Sequence, residues 1–127
     1  MLKKKIKLSL ILIIFISLIQ NAFSLEPNIF VQSTVNRASQ VLSNDFSKTQ
    51  RIEKLKLIAK DTVDIRGVGF YSLGKYRKGL NDNQKKKYSD LFEKYFLKSF
   101  SSRLAEYSNP KINVNSQEKI NENYTIV

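Results

Sequence analysis

Acidic side chains are the first candidates for chemistry, because the sequence has no histidine and no cysteine. The commonest general base, the commonest metal ligand and the thiol nucleophile are therefore all missing. The carboxylates form two close pairs, Asp61 with Asp64 and Asp90 with Glu93, each three residues apart. A glycosidase needs two carboxylates that face each other across a cleft. Each pair instead lies on one predicted helix among lysines, so we predict surface charge and no enzymatic activity.

No segment matches a motif for a metal or a cofactor. Gly67-Val-Gly69 lacks the continuation and the strand–helix–strand setting of a nucleotide-binding loop. Asp45, Asp61 and Asp64 lack the spacing of a calcium-binding loop. We therefore expect no metal, no cofactor and no catalytic residue.

Apolar side chains recur at helical spacing between positions 88 and 107 and form a broad, mainly aromatic stripe. The stripe consists of Tyr88, Leu91, Phe92, Tyr95, Phe96, Phe100, Leu104 and Tyr107. An ordinary core helix would give the same pattern. However, the chain has only a fragment of a sheet to cover this surface, so a cavity for an apolar ligand is the alternative.

Capping signals place the helices that carry these residues. Pro27 suits the start of a first helix, where its missing N–H is not needed. The segment Ser47-Lys-Thr-Gln50 has the form of a capping box and begins a second helix. Asn81-Asp-Asn-Gln84 repeats this pattern and begins the longest predicted helix, roughly Asp82 to Tyr107.

A joint is predicted between the second helix and the longest one. It runs from Asp64 to Gly69, where two glycines relax the backbone and Asp64 can cap the segment after it. Residues 70–73 then form a short apolar helix, for which Gly74 is a candidate C-terminal cap.

Strand-like patterns are confined to the end of the sequence. Ile112 and Val114 alternate with polar residues, as on a half-buried strand, and residues 115–119 are typical of a polar turn. Residues 124–127 begin a second β-type run. Because a domain rarely stops within an unpaired strand, we expect that the C-terminal part of the protein is missing from this chain.

The N-terminus has the three parts of a signal peptide. Four lysines lie within the first seven residues, Leu8 to Ile19 is largely apolar, and Ala22 and Ser24 supply the small residues of a cleavage site. The alternative is an uncleaved anchor, but twelve helical residues rise only about 18 Å, against about 30 Å of hydrocarbon. We therefore predict a signal peptide at 1–24, cleavage after Ser24, and a single mature domain at 25–127 in the periplasm of a bacterium.

The formal net charge of the chain is +11, and it falls to +7 without residues 1–24, which hold four lysines and no acidic residue. The lysines are scattered over predicted solvated helix faces, and export also argues against nucleic acid as a partner. Transient attraction to an anionic membrane surface or to an acidic protein fits better. Lysine as the default surface residue would explain the charge equally well.

The middle of the chain resembles the toluene-tolerance family of MlaC-like periplasmic phospholipid-binding proteins. The residues that carry the resemblance are Leu73-Gly74-Lys75-Tyr76, Gln84, Tyr88, Phe92, Tyr95, Phe96 and Phe100. Upstream, the helix after Pro27, the helix with Arg51 and Leu55, and Val63-Asp64 are similar in order and spacing. The chain departs from the family at Arg77, where an aromatic residue is common, and in lacking the family's further strands.

The resemblance implies an α+β fold in which several helices pack on a twisted, mainly antiparallel sheet. Only the first one or two strands of that sheet would be present in this chain, and acyl chains would lie between the layers. The candidate lipid-binding residues are Val35, Leu42, Ile58, Val68, Phe70, Leu73, Phe92, Phe96 and Phe100. Each of these side chains also fits an ordinary core.

The resemblance also implies a function, that of a carrier for glycerophospholipid. Such a carrier serves an inner-membrane ABC transporter complex and an outer-membrane lipoprotein complex and maintains the lipid asymmetry of the outer membrane. We expect it to act as a monomer. The alternative is a hopanoid-linked relative or a periplasmic adaptor that docks membrane complexes without carrying phospholipid.

Overall fold

The structure is a computed structural model that describes residues 25–127, so the predicted signal peptide lies outside the described residues. Four α-helices, one 3₁₀ helix and two short strands follow one another in this part of the chain. They are α1 (Pro27–Ser43), α2 (Lys48–Thr62), α3 (Ile65–Ser72), the 3₁₀ helix (Gly74–Gly79), α4 (Asp82–Leu104), β1 (Glu118–Lys119) and β2 (Thr125–Ile126). No helix within residues 25–127 combines the length and the apolar character that crossing a membrane requires.

Both predicted capping boxes are confirmed. The Ser47 hydroxyl accepts a hydrogen bond from the Gln50 backbone N–H at 3.3 Å, and the Gln50 side chain accepts one from the Ser47 N–H at 2.9 Å. Asn81 and Gln84 exchange the same two bonds, both at 2.9 Å. Each box satisfies two N–H groups that the first turn of a helix leaves without partners, and so fixes where α2 and α4 begin.

The joint between α2 and α3 is shorter than predicted, because only Val63 and Asp64 lie outside the helices. Asp64 caps α3 as expected, accepting a hydrogen bond from the Gly67 N–H at 2.9 Å. Gly67 and Gly69 lie inside α3 and do not loosen a loop. Gly69 has a packing role instead, since a Cβ atom built there would lie only 2.8 Å from the Phe92 ring.

A residue with a positive φ follows each of the two helices that flank the 3₁₀ helix. Gly74 has a φ of +54°, in the left-handed region that favours glycine, and it ends α3 as predicted. Asn109 has a φ of 48° and follows α4. Helix α4 ends at Leu104, three residues before the predicted Tyr107.

The closed core, which we define as Leu42, Leu55 and Ala105, joins α1, α2 and the end of α4. Its members are 1–5% exposed, and four partly buried side chains pack against them: Ala38, Val41, Ile52 and Leu104. Helix α2 is thus the central element, packed on α1 at one side and on α4 at the other.

A second buried cluster, Ala59, Ile65 and Leu97, joins α2, α3 and the middle of α4. Next to it lies Ser101, which is completely buried and donates its hydroxyl proton to the Leu97 carbonyl. A buried hydroxyl is acceptable only when it is hydrogen-bonded, and this local bond satisfies it.

The predicted strand at Ile112 and Val114 is wrong, since residues 110–117 have no regular secondary structure. Ile112 is 48% exposed, and no strand within residues 25–127 pairs with its segment. Alternation alone does not make a strand, because each strand needs a neighbour for its backbone hydrogen bonds.

The observed strand pair lies further along the chain. Strands β1 and β2 are antiparallel, with Glu118 opposite Ile126 and Lys119 opposite Thr125. The β-type run at residues 124–127 therefore contains a strand, and the predicted polar turn at 115–119 contains its partner. Residues 25–127 are mostly helical and form one small antiparallel sheet, while helix packing on a twisted sheet stays an expectation.

Candidate functional site

Five aromatic rings form a continuous row along one side of the helices. This aromatic row consists of Phe70 on α3 and Tyr88, Phe92, Phe96 and Phe100 on α4. Successive ring centroids are 6.4, 5.8, 6.2 and 5.3 Å apart in that order. These separations lie within the range of about 4.5–7 Å in which aromatic pairs attract each other.

The row follows directly from the sequence spacing on α4. Residues four apart lie on the same face of an α-helix, one turn above the other. Phe100 lies twelve residues after Tyr88, so this part of the row is about 18 Å long. No polar side chain interrupts the succession of rings on α4.

The first part of the row is held against α3. The Tyr88 hydroxyl donates a hydrogen bond to the Gly69 carbonyl at 3.1 Å, and it lies 3.1 Å from the Ser72 hydroxyl oxygen. Ser72 itself donates to the same carbonyl at 2.8 Å. The Phe92 ring fills the space that the missing side chain of Gly69 leaves. Thus the Tyr88 hydroxyl, the one polar group of the row, is hydrogen-bonded, and α3 supports the rings at this end.

The opposite edge of the row is open. Phe92 and Phe96 rest on the second buried cluster, yet both are only half-buried, as are Phe70 and Tyr88. Phe100, at the far end, is 38% exposed. A row of partly covered rings on a rigid support is an apolar surface on which an extended apolar ligand can be buried.

The structure brings four of the nine candidate lipid-binding residues into the row: Phe70, Phe92, Phe96 and Phe100. Leu42 is 3% exposed and belongs to the closed core, whereas Val68 is 43% exposed on α3. The other three, Val35, Ile58 and Leu73, are half-buried on α1, on α2 and at the end of α3. Contact with lipid remains a prediction for all nine.

Tyr88 belongs to the row although it is not among the candidate lipid-binding residues. The aromatic stripe predicted from the sequence already includes Tyr88, because its position four residues before Phe92 continues the spacing of the phenylalanines. The Tyr88 hydroxyl does not need water as a hydrogen-bond partner, because the Gly69 carbonyl accepts its proton.

Basic side chains surround the Phe70 end of the row. A pocket of about 280 Å³ is lined by Phe70, Arg77, Lys78 and Lys85. The Arg66 guanidinium lies 5.4 Å from the centroid of the Phe70 ring, a cation–π distance. The apolar row therefore borders a positively charged surface at this end.

Larger surface grooves lie away from the row, and most of the residues that line them are polar. One of about 470 Å³ lies between α1 and residues 114–115 and is lined largely by asparagine, glutamine and serine. Another, of about 560 Å³, lies between α2 and α4 and is lined by four lysines and a glutamate beside two leucines. Neither groove is lined by an aromatic side chain, whereas the row consists of contacting rings, so the aromatic row is the better candidate site.

The carboxylate pairs are surface charges, as predicted. Asp64 is the cap of α3, and the other three carboxylates form ion pairs with exposed cations: Arg37–Asp61 at 2.6 Å, Lys86–Asp90 at 2.8 Å and Lys60–Glu93 at 3.2 Å. The hydrogen bond from Lys86 holds the pKa of Asp90 below its ordinary value. Among residues 25–127, no acidic side chains are grouped in a way that would hold a metal ion.

One protein-family model matches most of the chain. The family model described as MlaC protein matches residues 32–127, which include α2, α3, α4, both strands and the whole aromatic row. No curated protein and no solved structure matches the chain. The chain therefore belongs to the MlaC family, a family of lipid-binding proteins that is not known as enzymatic.

Proposed function

We propose that this protein is a periplasmic carrier that buries an acyl chain of a phospholipid against the aromatic row. The observation that carries the proposal is the row itself, five contacting rings whose outer edge is uncovered. Membership of the MlaC family supports a lipid as the apolar ligand.

The need for a carrier follows from the cost of exposing lipid to water. Burial of each CH₂ group contributes about 0.8 kcal/mol, so a 16-carbon chain in water forfeits about 10 kcal/mol or more. A lipid on its own therefore crosses an aqueous gap at a negligible rate. A carrier must cover the chains and needs no catalytic group.

The length of the row fits one acyl chain. The hydrocarbon core of a bilayer is about 30 Å thick and holds two chains end to end, so one chain spans about 15 Å. The α4 part of the row spans about 18 Å. One chain can thus contact all four rings of α4.

The proposal also includes the class of lipid, the two membrane complexes that exchange it, and removal of the signal peptide. The lipid is a glycerophospholipid, exchanged with an inner-membrane ABC transporter complex and an outer-membrane lipoprotein complex, so that the asymmetry of the outer membrane is maintained. The carrier must diffuse freely, so the signal peptide must be removed. The exported protein should begin at Leu25 in N-terminal sequencing, and a product that retains Leu8 to Ile19 in the inner membrane would contradict this part.

The central test is lipid binding by protein expressed from the full chain and purified without detergent. We expect phospholipid in the organic extract and, after delipidation, renewed uptake of a phospholipid with a fluorescent acyl chain. Delipidated, folded protein that takes up none would contradict the proposal.

A pair of variants connects the uptake to the row. Phe100→Ser shortens the row at its exposed end and should reduce uptake severalfold, while the helical circular dichroism stays unchanged. Tyr95→Ser is the matched control, because Tyr95 is an exposed aromatic residue of the same helix that belongs to no ring contact of the row. Equal loss in both variants would place the lipid elsewhere.

A further inference from the structure

We propose that the basic pocket at the Phe70 end of the aromatic row binds the phosphate group of the lipid whose chain lies along the row. This inference rests on the proposed function and adds the chemistry of the headgroup to it. The pocket is lined by Phe70, Arg77, Lys78 and Lys85, so one apolar wall continues the row and the other three side chains are cations.

The cations of the pocket are largely available to a ligand. Within residues 25–127, neither Arg77 nor Lys78 forms an ion pair. Lys85 lies 3.6 Å from Asp82, whose side chain is fully exposed, and such an exposed pair is worth little. Arg66 adds a fourth positive charge above the Phe70 ring. Asp82 pairs with Lys85, and Asp90 lies close enough to Arg66 for that charge to lower the pKa of Asp90. Two carboxylates thus face four cations, an excess of positive charge that still favours an anion.

The fold brings these cations together at defined positions. Gly74, with its φ of +54°, turns the chain out of α3, and the 3₁₀ helix that follows carries Arg77 and Lys78. Lys85 lies in the first turns of α4. The N–H groups of Asn81 and Gln84 are occupied by the capping box, so the side chains, and not these N–H groups, carry the proposed contact.

The size of the pocket matches a headgroup. Its volume of about 280 Å³ lies slightly below the range of about 300–1,000 Å³ for pockets that enclose a whole drug-sized ligand. A phosphate with part of its glycerol fits that space, and the acyl chain must then continue outside it. The surface that adjoins Phe70 in the direction of α4 is the row.

The two ends of the row are unequal, which sets the direction of the bound lipid. Beyond Phe100 the same face of α4 carries a single cation, Arg103, three residues further on. Nearby Glu106 already pairs with Lys48. The Phe70 end has four cations and a pocket, so the phosphate binds there and the chain terminus lies toward Phe100.

The test compares two probes that differ only in the phosphate: phosphatidic acid and diacylglycerol with the same fluorescent acyl chain. The full-chain protein should prefer phosphatidic acid by about tenfold or more, as expected for charge-assisted hydrogen bonds to phosphate. The triple variant Arg77→Gln, Lys78→Gln, Lys85→Gln should take up both probes equally.

The control is a triple variant that removes the same charge elsewhere. Its substitutions are Lys87→Gln, Lys94→Gln and Lys111→Gln. Helical spacing places Lys87 and Lys94 on the side of α4 that faces away from the row, and Lys111 lies after the helix. This variant should keep the preference for phosphatidic acid. The single variant Arg103→Gln should keep it too.

Each remaining outcome has a separate meaning. Equal uptake of both probes by the unmodified protein, or equal loss in both triple variants, overturns the headgroup site and leaves the lipid carrier standing. Failure to take up either probe overturns the proposed function itself. Binding of inorganic phosphate by protein that takes up no lipid would show a site for free phosphate and would overturn the inference.

Discussion

The closed core and the aromatic row use the same long helix in opposite ways. In the closed core, aliphatic side chains from three helices surround one another and are 1–5% exposed. In the row, five larger rings contact one another along α3 and α4, and the fold covers them only in part. The row therefore has more apolar surface than the fold itself covers.

Because of this difference, we expect the closed core to serve folding stability and the row to serve ligand binding. Completely buried side chains contribute most to the free energy of unfolding, because their removal leaves a cavity. Half-buried rings contribute less to stability, but the surface they still expose is available to stabilise a complex. We therefore expect substitutions in the closed core to change stability, and substitutions at the open edge of the row to change lipid uptake.

The largest effect on stability should come from Leu55→Ala. Leu55 is 1% exposed in the closed core, and such a truncation typically costs about 2–5 kcal/mol. Phe100→Ala, at 38% exposure, should cost less than Leu55→Ala although more atoms are removed. Urea unfolding followed by circular dichroism measures both. Equal losses, or a larger loss for Phe100→Ala, would contradict the separation of the two regions.

A smaller effect is expected from Gly69→Ala, which acts where the row meets α3. The new Cβ would lie 2.8 Å from the Phe92 ring, so the ring must shift. Overpacking of this kind costs about 1–3 kcal/mol, and the better helix propensity of alanine offsets about 1 kcal/mol of it. We expect a net loss of stability of about 0–2 kcal/mol together with reduced lipid uptake.

Gly79→Ala is the matched control for this substitution. A Cβ atom at Gly79 would meet no atom within 4 Å, and Gly79 has no positive φ. Alanine there should leave both stability and lipid uptake nearly unchanged. Unchanged uptake in Gly69→Ala as well would mean that the position of Phe92 does not matter for the ligand.

The smallest effect concerns Asp90, which lies outside both regions. Its pKa is lowered chiefly by the hydrogen bond from Lys86, so it should titrate below its ordinary value of 3.8, and Lys86→Gln should raise the pKa toward that value. Because the pKa of Asp90 is depressed in the folded state, the contribution of this pair to folding stability is present above the unfolded-state pKa. That contribution is lost as the pH falls through the folded-state pKa. NMR titration of the carboxyl carbons measures it, and lipid uptake of Lys86→Gln should stay unchanged.

Local signals in the sequence predicted the helices well. The capping boxes at Ser47 and Asn81 act through neighbouring residues, so four positions suffice to locate a helix start. The same holds for Gly74, whose left-handed backbone ends α3. The spacing of Phe92, Phe96 and Phe100 likewise predicted one shared face.

Features that depend on distant partners escaped prediction. Strand β1 was predicted as part of a turn, because it pairs with β2 through the backbone and its exposed side chains, Glu118 and Lys119, show no apolar alternation. Strand β2 lies within the predicted β-type run. The need for glycine at position 69 arises from Phe92, twenty-three residues away. Periodicity also could not tell the buried Leu42 from the half-exposed Phe100, because both follow a helical pattern.

The four-residue spacing of the row also gives it a twist. Each step of four residues passes a full helical turn by about 40°, and rows of this kind are inclined by about 26° to the helix axis. The planes of consecutive rings on α4 differ by 27°, 26° and 11°. A ligand along the row must curve around α4 as it crosses it. A saturated chain does so by rotating its single bonds, whereas a rigid fused-ring molecule of equal length would touch fewer of the rings.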